Sequence, residues 1–133
     1  MEANAKFVSG FRIDVDDGRT HTISLDLSPP SGNDMGPSAL ELAVMSFAGC
    51  YATIFALTAS KMRHPIRDMK VKAQAVKSKE IGTISEATLD ILVKIDAPKD
   101  RVDRLHELTV RDCPVGLLFE KAGVKIKYNV RTE

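Results

Sequence analysis

Apolar and polar positions alternate along most of this chain, and one long apolar stretch interrupts the alternation. Residues 6–15 hold Phe7, Phe11, Ile13 and Val15 and predict a strand. Asp16-Asp17-Gly18 then signals a hairpin turn, because glycine tolerates positive φ. In the next run Thr20, Thr22, Ser24 and Asp26 fall on one face, and His21, Ile23, Leu25 and Leu27 on the other, which predicts a half-buried strand. Ser28-Pro29-Pro30-Ser31-Gly32-Asn33-Asp34 reads as a loop. Residues 69–76 set Met69, Val71, Ala73 and Ala75 against Lys70, Lys72 and Gln74. Residues 87–95 set Ala87, Leu89, Ile91, Val93 and Ile95 against Thr88, Asp90, Leu92 and Lys94. Both are strands with one wet face, and with Gly82 between them they form an antiparallel hairpin. Val102, Leu105 and Leu108 mark the buried stripe of a helix that starts at Asp96-Ala97-Pro98. Cys113-Pro114 opens a short helix closed by Gly123, and Val124, Ile126, Tyr128 and Val130 form a last strand. The predicted order is β-β-α-β-β-α-α-β, in one α+β domain over residues 1–133.

The interruption spans residues 38–62. Ser38-Ala39-Leu40-Glu41 fits a capping box at a helix start, and no charge occurs from Leu42 to Ser60. Ser46, Gly49, Cys50, Tyr51, Thr53 and Thr58 within the run, and flanks without an aromatic belt, argue against a membrane span. A helix apolar all round is then a buried one. At 1.5 Å per residue it is about 37 Å long, more than a monomer of 133 residues can surround. A dimer can, so the helix predicts oligomerisation.

Composition narrows the function classes. Apolar residues at 44% fill a core, and charged residues at 28% with a net charge of +1 exclude a disordered chain. The small net charge argues against a nucleic-acid clamp or a membrane-surface binder. Aromatics at 5% with no Trp are too few for base stacking. Met1-Glu2-Ala3-Asn4-Ala5-Lys6 does not read as a signal peptide, so a reducing cytoplasm is expected. Two cysteines are no disulfide scaffold, and in that compartment a cysteine pair is redox-active or metal-binding more often than structural. Cys113, at a helix N-terminus, is expected to have its thiol pKa lowered by free backbone N–H groups. Cys50 lies mid-helix among Ser46, Phe47, Thr53 and Ile54, and a cation for it must come from elsewhere in the fold. His21, His64 and His106 lack metal-ligand spacing and read as surface or capping groups.

The segment Gly36-Pro37-Ser38-Ala39-Leu40-Glu41-Leu42, continuing through Ala43 to Gly49 and Cys50, resembles the OsmC/Ohr family. These are the osmotically induced protein C and organic hydroperoxide resistance proteins. The family pattern is G-P-x-x-L-E-L, a small and apolar run, then G-C, with a second cysteine in a C-P-V run that corresponds to Cys113-Pro114-Val115. The resemblance implies an OsmC-like fold, antiparallel sheets wrapped around a long central helix in an intertwined homodimer with active sites at the interface. It implies a cysteine-based organic hydroperoxide reductase without cofactor or metal. Cys50 would attack the peroxide and become a sulfenic acid, Cys113 would close a Cys50–Cys113 disulfide, and a dithiol reductant, a lipoyl protein or thioredoxin-like, would reopen it. The family's arginine maps first to Arg19 and second to Arg12. Its acidic residue lies ten positions before the first cysteine in the best-known members. Leu40 stands there in this chain, and Glu41, about 100° further round the helix, is the candidate acidic residue, with capping as its other role. That departure supports an alternative: an OsmC-like dimer with little peroxidase activity that binds a small apolar ligand or carries out other thiol chemistry.

Overall fold

The first predicted strand is two strands in the computed structural model, which describes residues 1–133. β1 (Asn4–Ser9) and β2 (Arg12–Asp16) pair antiparallel, with Phe7 opposite Ile13. Gly10 turns the chain between them at φ 56°, a conformation that a side chain disfavours. Periodicity alone missed this break, because Phe7 and Phe11 keep an apolar beat across it. β3 (Thr22–Leu25) pairs antiparallel with β2 after the expected turn, where Gly18 has φ 74°. The order β1-β2-β3 makes a three-stranded sheet. On the expected apolar face of β3 Leu25 is half-buried and Ile23 is 42% exposed, and Leu27 lies beyond the strand.

Asp26 organises the segment after β3. Its carboxylate accepts the backbone N–H groups of Leu27 (2.8 Å), Asn33 (3.2 Å) and Met35 (3.1 Å). These bonds hold it below the ordinary carboxylate range, those of Met35 and Leu27 first. Gly36 lies against β3, where a Cβ would overlap the Ser24 carbonyl oxygen. A glycine is therefore required just before Pro37, which brings the chain to the next helix.

α1 (Ala39–Lys61) begins in the predicted capping box. Ser38 Oγ accepts the Glu41 N–H and Glu41 Oε1 accepts the Ser38 N–H, both at 3.1 Å. By length and composition α1 is apolar enough to cross a membrane. Only Phe47, Tyr51, Phe55 and Ala59 are buried along it, a row at steps of four. The expectation of burial all round is therefore not met within one chain: Met45 and Leu57 on other faces are 54% and 53% exposed.

The chain forms two compact units, Met1–Ala43 and Val44–Glu133. In the second, β4 (Ile66–Ser78) and β5 (Thr83–Ile95) form the predicted antiparallel hairpin. α2 (Lys99–Asp112) and α3 (Pro114–Lys121) then carry the chain back, so β6 (Lys125–Thr132) joins β5 in parallel. The sheet order is β4-β5-β6. Ala73, Leu89 and Tyr128 share one cross-strand row, and Ala87, Leu89, Ile91 and Val93 are buried along the same face. α1 reaches that face through aromatic rings. Phe47 and Tyr51 lie 6.4 and 5.8 Å from the Tyr128 ring, and Phe47 is 4.8 Å from Phe119 of α3. The architecture is mixed α+β, with two three-stranded sheets and three helices.

Candidate active site

The two cysteines, remote in sequence, meet in the second unit. Cys50 is half-buried on α1. Cys113 lies between α2 and α3 and is 1% exposed. The Cys113 thiol lies near that of Cys50, close enough for Cys50 to raise its pKa, and neither cysteine is in a disulfide.

Cys113 does cap α3, as its Pro114 neighbour predicts. Its Sγ accepts the Gly116 N–H at 3.4 Å. The expected lowering of its pKa does not follow. Burial, the largest influence, pushes the thiol up to about 11, with Cys50 adding to the rise. The Gly116 and Val115 N–H groups act the other way and are outweighed. A helix N-terminus favours a thiolate only where the charge is not also stripped of water.

Gly116 has a further role that sequence reading missed. A Cβ there would sit 3.1 Å from the Phe47 ring and 3.3 Å from Cys113 Sγ. The bare backbone lets the first turn of α3 close over the sulfur.

Behind the thiols lies a cluster of rings. Tyr51, fully buried and next in sequence to Cys50, bonds His106 Nδ1 at 2.7 Å. His106 is not the free surface group its isolation in sequence suggested. Burial lowers its pKa, opposed by Asp103 and Glu107 on the same helix. Burial, with smaller contributions from Tyr128 and Cys113, drives the Tyr51 phenol well above its ordinary range, and burial with a contribution from Cys113 pushes Tyr128 up to about 12. With His106 neutral and the phenol protonated, the imidazole tautomer decides which of the Tyr51 hydroxyl and Nδ1 donates in this bond. The Tyr128 ring stands edge-on to His106 at 5.3 Å. The only sequence signal for this cluster was the step of four linking Tyr51 to Phe47 and Phe55, which marks a core position and not a polar partner.

The other predicted site residues lie in the first unit, each with local partners. The Arg19 guanidinium bonds Asp17 at 3.1 Å and is 74% exposed. His21 also bonds Asp17, at 2.6 Å. Glu41 is engaged by Ser38, whose backbone and side chain hold its carboxyl below the ordinary range. Arg12 is half-buried, and its terminal nitrogen reaches Ser24 Oγ at 3.4 Å. Its Nε is buried without a hydrogen-bond partner. Arg12 borders a cavity of about 290 Å³ with Ser9, Asp26, Asn33 and Met35. No group of three or more His, Cys, Asp or Glu side chains is placed to hold a metal ion.

Residues 32–129 match the family described as OsmC-like protein. The chain belongs to the OsmC-like family. Solved OsmC-like and related structures share its fold throughout. An OsmC-like protein from Mycoplasma pneumoniae is 15% identical with a TM-score of 0.89, over 98% of this chain and 95% of its own. The organic hydroperoxide resistance protein OhrB of Bacillus subtilis is 17% identical with a TM-score of 0.68, over 98% and 96%. An organic hydroperoxide resistance protein OsmC from Legionella pneumophila is 15% identical with a TM-score of 0.73, over 97% and 94%. No curated protein sequence matches the chain.

Proposed function

We propose that this OsmC-like chain is a thiol-dependent peroxidase that reduces organic hydroperoxides to alcohols. The observation that carries the reading is the nearness of the Cys50 and Cys113 thiols, two cysteines remote in sequence. Family membership and the likeness to organic hydroperoxide resistance proteins support it. Burial assigns unequal roles: Cys50, half-buried, is the sulfur that the peroxide reaches, and Cys113, buried with its thiol pushed up to about 11, keeps its proton until it is needed. The Cys50 thiolate attacks the distal peroxide oxygen, the O–O bond breaks, and the alkoxide leaves as alcohol after taking a proton. The Cys50 sulfenic acid then condenses with Cys113, whose proton departs with the hydroxyl as water. A dithiol reductant, lipoyl or thioredoxin-like, reopens the disulfide by exchange. Phe47 and Phe119 give the surroundings an apolar character that suits an alkyl or aryl peroxide better than hydrogen peroxide.

Arg19 and Arg12 are the proposed sources of the stabilising cation. Arg12 Nε is buried without a hydrogen bond and lies 4.0 Å from Asp14, a looser engagement than the 3.1 Å bond of the exposed Arg19 to Asp17, and this favours Arg12. Glu41 is the proposed acidic partner; its bond to Ser38 favours the capping role instead. Homodimerisation is part of the proposal, supported by a helix as apolar as a membrane span with Met45 and Leu57 open. A soluble dimer in the cytoplasm would cover that face.

The test is the free-thiol count and intact mass after one equivalent of tert-butyl hydroperoxide. Loss of two thiols and two mass units, absent in Cys50→Ser, is expected. Cys113→Ser should consume one equivalent and stop at the sulfenic acid, going on to sulfinic acid only with a second equivalent. Intact thiols and unchanged mass would overturn the peroxidase reading. They would leave the alternative of a thiol or ligand-binding OsmC-like dimer, which the engaged state of Glu41 and Arg19 favours.

A further inference from the structure

We propose that Tyr51 and His106 are positioning residues for disulfide closure, because their hydrogen bond ties the helix carrying Cys50 to the helix that leads into Cys113. The inference rests on the peroxidase reading for its physiological step, and on geometry for the rest. Tyr51 directly follows Cys50 on α1. His106 lies two helical turns before Cys113 on α2. Between the elements carrying the two sulfurs, the 2.7 Å bond from the Tyr51 hydroxyl to Nδ1 is a directional polar tie. The Tyr128 ring closes the third side, 5.8 Å from Tyr51 and 5.3 Å from His106. Asp103 and Glu107, on the same helix, are the charged groups that act on the imidazole.

A tie at this place has kinetic consequences. The two thiols are free, further apart than the roughly 2.05 Å of a disulfide, so the sulfurs must approach along one line to close it. Rates of such intramolecular steps fall steeply when the partners are misplaced by an ångström. Closure is Cys50 S–OH plus Cys113 S–H giving the S–S bond and water. The sulfenic sulfur is reduced, the Cys113 sulfur is oxidised, and the Cys113 proton leaves with the hydroxyl. None of this needs Tyr51 or His106 as an acid or base. It needs α1 and α2 held in register. Removing the hydroxyl should therefore slow closure and leave peroxide attack on Cys50 alone.

The experiment compares wild type with Tyr51→Phe, His106→Gln and His106→Leu in three measurements. The first is sulfenic acid formation, trapped with dimedone in a Cys113→Ser background after cumene hydroperoxide. The second is the rate of closure in a single turnover. The third is the fraction of Cys50–Cys113 disulfide at equilibrium with reduced and oxidised dithiothreitol, which needs no peroxide. For Tyr51→Phe and His106→Leu, closure about tenfold slower is expected, the size of one lost hydrogen bond. A similar fall in the effective concentration of the dithiol should accompany it, with sulfenic acid formation within twofold of wild type. His106→Gln keeps an acceptor and should recover part of the loss. Unchanged closure in well-folded Tyr51→Phe, or equal slowing of both steps, would overturn the proposal. So would a lower melting temperature with the ratio of the two rates preserved, which marks a purely structural bond. If Tyr51→Phe does not fold, the His106 pair decides. Wild type that ignores peroxide but closes with oxidised dithiothreitol would sink the peroxidase reading and leave this one standing. Failure to close with either oxidant would sink the positioning proposal itself.

Discussion

The two units of this chain use apolar residues in opposite ways. Val44–Glu133 buries its own: Phe47, Tyr51, Phe55, Leu89, Ile91, Val93 and Leu105 are at most 1% exposed. Met1–Ala43 buries none, and its one buried side chain is the Asp26 carboxylate. Phe7 is 65%, Phe11 58% and Val8 43% exposed in the first unit. One unit is therefore held by a core, and the other by backbone hydrogen bonds and an anchored carboxylate. A three-stranded sheet with no buried apolar face is marginal on its own. The contrast marks where this sequence leaves apolar surface open, and the two thiols lie in the unit with a core.

The largest effect should come from the core. Phe55 is fully buried and stacked on Tyr51 at 6.0 Å. Phe55→Ala is expected to cost about 3–5 kcal/mol, the range for removing a buried aromatic side chain. Urea unfolding followed by circular dichroism checks it, and a loss under about 1 kcal/mol would contradict the picture of a self-sufficient core.

Next in size is the open face of α1. Leu57→Glu places a charge on a residue that is 53% exposed in one chain. If a second copy covers that face, the variant should shift from dimer to monomer in analytical ultracentrifugation, and its melting temperature should lose its concentration dependence. A variant that keeps the oligomeric state of wild type would show that the face is free, and the comparison between the units would need another explanation.

These outcomes bear on how much the sequence disclosed. Alternation located β4, β5 and β6 well, because one face of each meets a core and the other meets water. The parallel pairing of β6 could not be read from alternation, since both pairings have the same period of two. It follows from α2 and α3 together bridging back along the sheet. The Gly10 turn was hidden by apolar residues on both sides. The cysteines were legible as motifs, and Cys113 as a helix cap, but their meeting is a tertiary fact. So is the burial that reverses the expected shift at Cys113. Tyr51 and His106 were the least visible: a polar bond between two helices, 55 residues apart, leaves no local pattern.

The anchored carboxylate predicts a smaller, local effect with a definite pH dependence. The folded-state pKa of Asp26 is lowered from 3.8, chiefly by the Met35 and Leu27 N–H groups. A lowered folded pKa means that the unfolded segment binds the proton more readily. The stabilisation is therefore complete above the unfolded value and is lost as pH falls from there through the folded one. At pH 7, Asp26→Asn should speed amide exchange at Leu27, Asn33 and Met35 on the order of tenfold, since charge-assisted bonds are replaced by neutral ones. Once both carboxyl and amide are neutral at low pH, the difference between variant and wild type should narrow. Asp16, Asp17 and Glu41 titrate alike in both proteins and cancel in that difference. A gap that stays constant down to pH 2.5 would assign the loop's order to shape and not to charge.

The smallest effect tests the open sheet directly. Phe7 on β1 is 65% exposed and faces Ile13 across the ladder. In a lone chain Phe7→Ser removes an aromatic–β-branched cross-strand pair and little else, a change of about 0.2–1 kcal/mol. In a dimer that covers this sheet the same substitution would cost several times more, because the ring would leave a buried site. Measuring the variant at protein concentrations above and below dimer dissociation separates the cases. Equal small losses at both concentrations would mean that sheet β1-β2-β3 stays open to water in the assembly. A loss that grows with concentration would mean that the missing core of the first unit is supplied by the second chain.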